Sequence, residues 1–193
     1  MTEQIHDVPV SGRVTNRRLT VVVGLIAVLV YAVDQGTKLL AVHGLNPGER
    51  KDLIGSAFGL NLTRNAGAAF STATGATWIL TLVAVAVVVA IIRFARQLGS
   101  WGWTVALGLL LGGALGNLND RLLREPGFMR GHVIDFLEFP HWPIFNLADS
   151  CIVTAACLIA LLSLRGIGID GGRVGATPAT EPDVREGSEP QDV

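Results

Sequence analysis

The sequence predicts an all-α membrane protein with four transmembrane helices, and three observations carry that prediction. Charged residues make up only 16% of the 193 positions, whereas soluble domains hold about 25%. Half of the residues are hydrophobic and the mean hydropathy is +0.48. The apolar residues also gather into four blocks separated by polar stretches, a distribution unlike that of a soluble core. The same numbers exclude other classes. Cys151 and Cys157 share one apolar block, where a helix holds them about 9 Å apart along its axis. That is too far for a disulfide, so they read as small buried residues. A net charge of -1 provides no basic surface for nucleic acid, and four spans leave little chain for a separate soluble domain.

A bilayer core about 30 Å thick takes about 20 helical residues. The first block runs uncharged from Leu19 to Val33 and reaches spanning length if the helix continues through Asp34 to Val42, which places Asp34 and Lys38 on one face. It follows basic residues, but no small-x-small cleavage site precedes Asp34, so it is expected to be a retained helix. The second block lies between Gly75 and Arg93, and the third runs from Gln97 to Asn119 without a charge. The fourth starts after Pro143, a favourable first-turn residue, and ends at Arg165 with Asn146 and Asp149 in its opening turns.

Arg13, Arg17 and Arg18 precede the first span, Arg93 and Arg96 join the second to the third, and Arg165 follows the fourth. This places both termini in the cytoplasm. The other side carries Arg50, Lys51, Arg64, Arg121, Arg124 and Arg130, so orientation rests mainly on the first helix. Residues 1–15 and 166–193 are poor in large apolar side chains and are expected to be disordered cytoplasmic tails around a membrane domain at 16–165. In the outer segment 43–74, the β-prone runs Ala57 to Leu62 and Ala68 to Ser71 flank Asn65-Ala66-Gly67, which predicts a small hairpin-like layer at the membrane surface. Residues 119–143 form a second outer segment. Gly108, Gly112 and Gly116 line one face of the third span, and packing within the bundle is favoured over dimerisation as their purpose.

Four carboxylates fall near the outer boundary: Asp34, Asp120, Asp135 and Asp149. An ionisable group at that depth is costly unless it is paired or faces a wet cavity. Lys38, one turn beyond Asp34, makes a helix-end ion pair with a snorkelling lysine at least as good an account there as a catalytic role. Asp120, next to Arg121 and one turn from Asn117, reads as a charge-compensated knot that ends the third helix. Asp135 sits in His132-Val133-Ile134-Asp135-Phe136 with no basic neighbour within two positions. Asp149 suits a helix N-terminus, with Asn146 as its cap, but a helix dipole does not explain a carboxylate at a membrane boundary. Two such groups at one depth would share a proton and act as an aspartic protease pair, one activating water and the other protonating the leaving amine. His132 and His141 belong to no recognisable triad, and neither HExxH nor a Cys/His cluster is present for zinc, so no metal or cofactor is expected.

The ordered segments DQGTK (34–38), NLTRNAGAAF (61–70), GNLNDR (116–121), HVIDF (132–136) and FNLADS (145–150) closely resemble the lipoprotein signal peptidases, also called signal peptidase II. The resemblance covers nearly everything from the first helix to the end of the fourth. It implies a membrane-embedded aspartyl endopeptidase of the bacterial cell membrane, active near the outer face, that cuts prolipoproteins before a diacylglyceryl-modified cysteine. Its partners would be those substrates and membrane lipid. It implies Asp135 and Asp149 as the catalytic pair, supported by Asp34, Lys38, Asn65, Asn117, Asp120, Arg121 and Asn146, and a small extracellular β-cradle over residues 43–74. The segment from Arg124 to Arg130 is longer than the family's pattern. The alternative from another class is a small proton or cation transporter that uses the same carboxylates, although the chain shows neither an internal repeat nor paired broken helices.

Overall fold

The computed structural model describes residues 17–67 and 77–173. The expectations placed on residues 1–15, on Ala68 to Ser71 and on 174–193 lie outside the described residues. Within them, four helices are long and apolar enough to cross a membrane. Helix α1 is Arg17–Gly44, α2 is Thr77–Phe94, α3 is Trp101–Leu123 and α4 is Leu147–Leu164. Three strands accompany them: β1 (Lys51–Ile54), β2 (Phe58–Asn65) and β3 (Val133–Glu138).

The charged residues of α1 do not stop it, because Asp34 and Lys38 meet at 2.9 Å one turn apart. The third helix departs from the expected bounds at both ends. Gln97 closes a single 3₁₀ turn, Ala95–Gln97, and α3 begins only at Trp101 after the Gly99-Ser100 break. At the other end α3 continues past Asn119 to Leu123, because Asp120 is neutralised by partners on α1 and on its own next turn. Pro126 then disfavours helix at the residue before it. The fourth helix begins four residues after Pro143. Asn146 caps it: its Oδ1 accepts from the Asp149 N–H at 3.0 Å, while Asp149 Oδ2 accepts from the Asn146 N–H at 3.2 Å.

Helix α3 is the centre of the bundle, packed by α1, α2 and α4, and it is the most buried of the four. The glycine stripe makes this possible. A β-carbon at Gly108 would lie 2.8 Å from Ile26 Cβ, one at Gly112 would lie 2.6 Å from Val30 Cβ and 2.8 Å from the Ala27 carbonyl oxygen, and one at Gly116 would strike the Asp34 carboxylate. All three face α1, so the stripe serves packing inside the bundle. Gly113 faces the other way and gives the same room to Ala148 O of α4, at 2.6 Å. Gly112→Ala is therefore expected to push α1 off α3 and lower the unfolding temperature in detergent, an overpacking cost of about 1–3 kcal/mol. Gly36→Ala, with nothing within 4 Å among the described residues, should leave it unchanged. Equal unfolding temperatures for the two variants would refute this packing account.

The strands form one antiparallel sheet in the order β1-β2-β3. The hairpin turn is at Gly55–Ala57, upstream of the Asn65-Ala66-Gly67 turn expected from sequence, and Asn65 is the last residue of β2. The other partner of β2 is remote in sequence: Asn65 pairs with Val133 and Thr63 with Asp135, across a connection that contains α2 and α3. Leu62, Ile134 and Phe136 pack with Ala41, seating the sheet on the end of α1. Phe139 stacks between Phe58 and Phe145 at centroid distances of 4.9 and 5.8 Å, tying β2, β3 and the approach to α4 together.

Residues 166–173, assigned to the tail by composition, fold back as a hook against the start of α3. Gly99 N–H donates to Ile169 O and Trp103 Nε1 to Ile167 O, both at 2.9 Å, and Ile167 bridges Arg173.

Candidate active site

At the sheet end of the bundle, α1, α3, β3 and the N-terminus of α4 converge on a buried polar cluster. Among the described residues, every buried charged side chain lies here: Asp34, Lys38 and Asp120 at 0% exposure and Asp135 at 2%. Lys38 does not snorkel. Its ammonium uses all three donors inside the protein, on Asp34 Oδ2 at 2.9 Å, Asp120 Oδ2 at 2.8 Å and Asn117 Oδ1 at 3.0 Å.

Each carboxylate around Lys38 also binds another element. Asp34 Oδ1 accepts from the Ala148 N–H at 3.0 Å, holding the first turn of α4 against α1. Asp120 Oδ1 accepts from Arg124 Nε, and its Oδ2 from the Ile134 N–H at 3.3 Å, which fixes β3 beside the end of α3. The cation beside Asp120 is thus Arg124, one helical turn on. Arg121, the sequence neighbour, points elsewhere. Its guanidinium runs toward Gly67, where an added β-carbon would lie 3.0 Å from Nη1, and Nη1 is buried without a hydrogen-bond partner among the described residues.

Asp135 and Asp149 stand outside this ion network and are held by amides. Asp135 Oδ2 accepts from Asn65 Nδ2 at 2.9 Å, and its Oδ1 from Asn146 Nδ2 at 2.6 Å. Asp149 Oδ1 accepts from Asn117 Nδ2 at 2.8 Å. Asn146 links the two: it donates to Asp135 through Nδ2 and caps the Asp149 N–H through Oδ1. Its second Nδ2 hydrogen goes to Asn117 Oδ1 at 3.1 Å, the same oxygen that accepts from Lys38. Each amide is therefore locked in one orientation, and neither Asn117 nor Asn146 can flip without setting donor against donor. Burial pushes the Asp135 carboxyl up to about 6, helped by the neighbouring Asp149 charge and opposed by hydrogen bonds from Asn65 and Asn146 and by the Lys38 charge.

All nine residues singled out from sequence gather at this end. Sequence reasoning missed Gln35, whose Nε2 donates to Gly116 O and Asp34 Oδ2 at 3.1 Å and whose Oε1 accepts from Asn119 at 3.0 Å. It also missed Thr77 and Thr81, which pin α2 through Ala66 O at 2.7 Å and Met129 O at 2.9 Å. A polar pair four residues apart at the start of an apolar helix was the available signal. Among the described residues no three His, Cys, Asp or Glu side chains converge as metal ligands would.

Bilayer-length helices close around a carboxylate-rich cluster at one end, and among the described residues no run of buried charged groups continues through the bundle as a transporter would need, which points to a membrane enzyme. The family Peptidase_A8, signal peptidase (SPase) II, matches residues 26–165, and the chain belongs to it. The chain is 54% identical over 159 residues to the lipoprotein signal peptidase of Rhodococcus jostii (strain RHA1), covering 82% of this chain and 79% of that one. It is 49% identical over 154 residues to the lipoprotein signal peptidase of Mycobacterium tuberculosis (strain ATCC 25618 / H37Rv), covering 80% and 76%. A bacterial membrane enzyme solved by the in meso method superposes with a TM-score of 0.67 at 30% identity, over 74% of this chain and 92% of that one. The transporter alternative finds no support in any of these.

Proposed function

We propose that the protein is an aspartyl endopeptidase that removes the signal peptide of bacterial prolipoproteins, cutting before a diacylglyceryl-modified cysteine, with Asp135 and Asp149 as the catalytic pair. The observation that carries this reading is the division of the carboxylates. Among the described residues Asp34 and Asp120 each touch a cation, whereas Asp135 and Asp149 receive only amide donors and share Asn146. Groups held in place without being neutralised remain free to exchange protons.

In the reaction Asp149, half-buried and accepting from two N–H donors, takes a proton from water as the oxygen adds to the scissile carbonyl. Asp135 enters protonated and gives its proton to the leaving amine as the C–N bond breaks, so the pair exchanges one proton between its members and water is consumed. Arg121, whose Nη1 lies by Gly67 with no hydrogen-bond partner among the described residues and whose charge is felt by both members of the pair, is placed to hold a substrate carbonyl. Both termini are assigned to the cytoplasm and the pair to the outer face. A diacylated cysteine suits that depth, since each buried CH2 anchors by about 0.8 kcal/mol.

The direct test is mass spectrometry of a diacylglyceryl prolipoprotein incubated with the purified protein. A cut immediately before the modified cysteine is expected, and an intact substrate or a cut elsewhere would overturn the reading. A pH profile tests the roles. Because Asp135 must hold its proton in the free enzyme, kcat/KM should fall as pH rises through about 6. Asn65→Ala removes a hydrogen bond that favours the ionised form, so the alkaline limb should move to higher pH. A limb that stays in place or moves down would remove Asp135 from the acid role.

A further inference from the structure

We infer that the groove between α2 and α4 receives the apolar helix of the signal peptide and gauges its length, with the hook at residues 166–173 as the stop. This rests on the peptidase reading above. Helices α2 and α4 each pack along α3 without an extensive interface between themselves, so α3 floors a trough with two walls. Asp149 stands in the first turn of α4 and its hydrogen-bond partner Asn117 on α3, so the pair marks one end of these two helices. The other holds a cavity of about 510 Å³ lined by Val87 and Phe94 of α2, Leu107 of α3 and Ile159 of α4, and bounded by Trp103 and Ile169.

Three features make this cavity the end of a track. It lies in line with the pair along two helices: α4 advances ten residues from Asp149 to Ile159, and α3 ten from Asn117 to Leu107, about 15 Å in each case. The hook that bounds it is fastened by main chain, since Gly99 N–H donates to Ile169 O, Trp103 Nε1 donates to Ile167 O, and a β-carbon at Gly99 would collide with the backbone of Asp170. Its direction also matches the substrate. The apolar stretch of a signal peptide lies N-terminal to the cut and comprises about 7–15 residues, or roughly 10–22 Å as a helix. With the scissile bond at the pair, that stretch runs inward along the trough and reaches the hook. A fluid lipid chain would fill the same cavity without needing a stop locked to the α2–α3 connection.

The test uses the full-length enzyme and lipidated substrates whose apolar stretches are shortened or lengthened by about four residues, roughly one turn. Ala90 lines the cavity from α2, and Ala90→Trp should raise KM about tenfold for the longest substrate and little for the shortest, with kcat unchanged. Ile169→Ala should move the preferred length upward. KM values that remain independent of length in both variants, as a site filled only by membrane lipid would give, overturn the inference. If no length is cleaved by the unsubstituted enzyme, the peptidase reading itself falls and this one with it. Cross-linking covers variants that fail to fold. A photoreactive residue at the N-terminal end of the apolar stretch, trapped on Asp149→Asn, should label α2 or α4 near Phe94 and Ile159, and labelling confined to α1 would refute the track.

Discussion

Asp135→Asn and Asp149→Asn should each reduce cleavage of a lipidated prolipoprotein by at least about 10³-fold while the protein remains folded. The fold survives because each change keeps the side-chain shape and disturbs one hydrogen bond, a cost of about 1–3 kcal/mol. At position 149 the new carbonyl oxygen can still accept from the Asn146 N–H. The new amide then faces Asn117 Nδ2, which cannot turn away because Asn117 Oδ1 is committed to Lys38 and Asn146. At position 135 the amide meets either Asn65 or Asn146 in the same way. Turnover is lost for a different reason: an amide can neither accept a proton from water nor deliver one to the leaving amine. Measuring turnover and unfolding temperature on the same preparations separates the two effects. Retained turnover in either variant would sink the pair.

The spans were legible because a membrane imposes a length, and runs such as Thr77 to Ile92 contain no charge to obscure it. The site residues were legible one at a time for the same reason, since an Asp or Asn between apolar neighbours at a boundary is rare enough to read. Their pairings were not. Lys38 was expected to serve Asp34 alone, but the approach of α3 to α1 at Gly112 and Gly116 brings Asp120 and Asn117 to the same ammonium. Arg121 follows Asp120 in sequence, yet consecutive helical residues point about 100° apart, so the carboxylate finds Arg124 instead. Strand β3 was read only as part of an outer segment because its partner, β2, precedes it by two helices. The hook escaped because glycine-rich composition resembles a tail, and the backbone of Gly99 that receives it carries no signal in its own neighbourhood.

Lys38→Met should destabilise the protein more than any change at the pair. The substituted chain would hold Asp34 and Asp120 at 0% exposure, facing each other across the vacated ammonium position. Removing one partner from a buried ion network costs about 3–5 kcal/mol, because the remaining charge is neither solvated nor paired. Arg124 relieves Asp120 in part and leaves Asp34 with Gln35 and the Ala148 N–H. The damage also reaches function by a traceable route. Asn117 loses the charged one of the two bonds that fix its amide and keeps only the one from Asn146 Nδ2, so the hold that points its own Nδ2 at Asp149 is weakened. Any folded fraction of Lys38→Met should therefore turn over slowly as well. Neutralising the network separates the two consequences: Lys38→Met combined with Asp34→Asn and Asp120→Asn should regain much of the unfolding temperature, since no bare charge remains buried, without regaining the activity. By contrast, Asp120→Asn alone leaves Lys38 paired with Asp34 and should lower yield and unfolding temperature more than the specific activity of what folds. If Lys38→Met purified in normal yield with an unchanged unfolding temperature, the network would not be holding α1, α3 and α4 together, and the amide orientations at the pair would need another source.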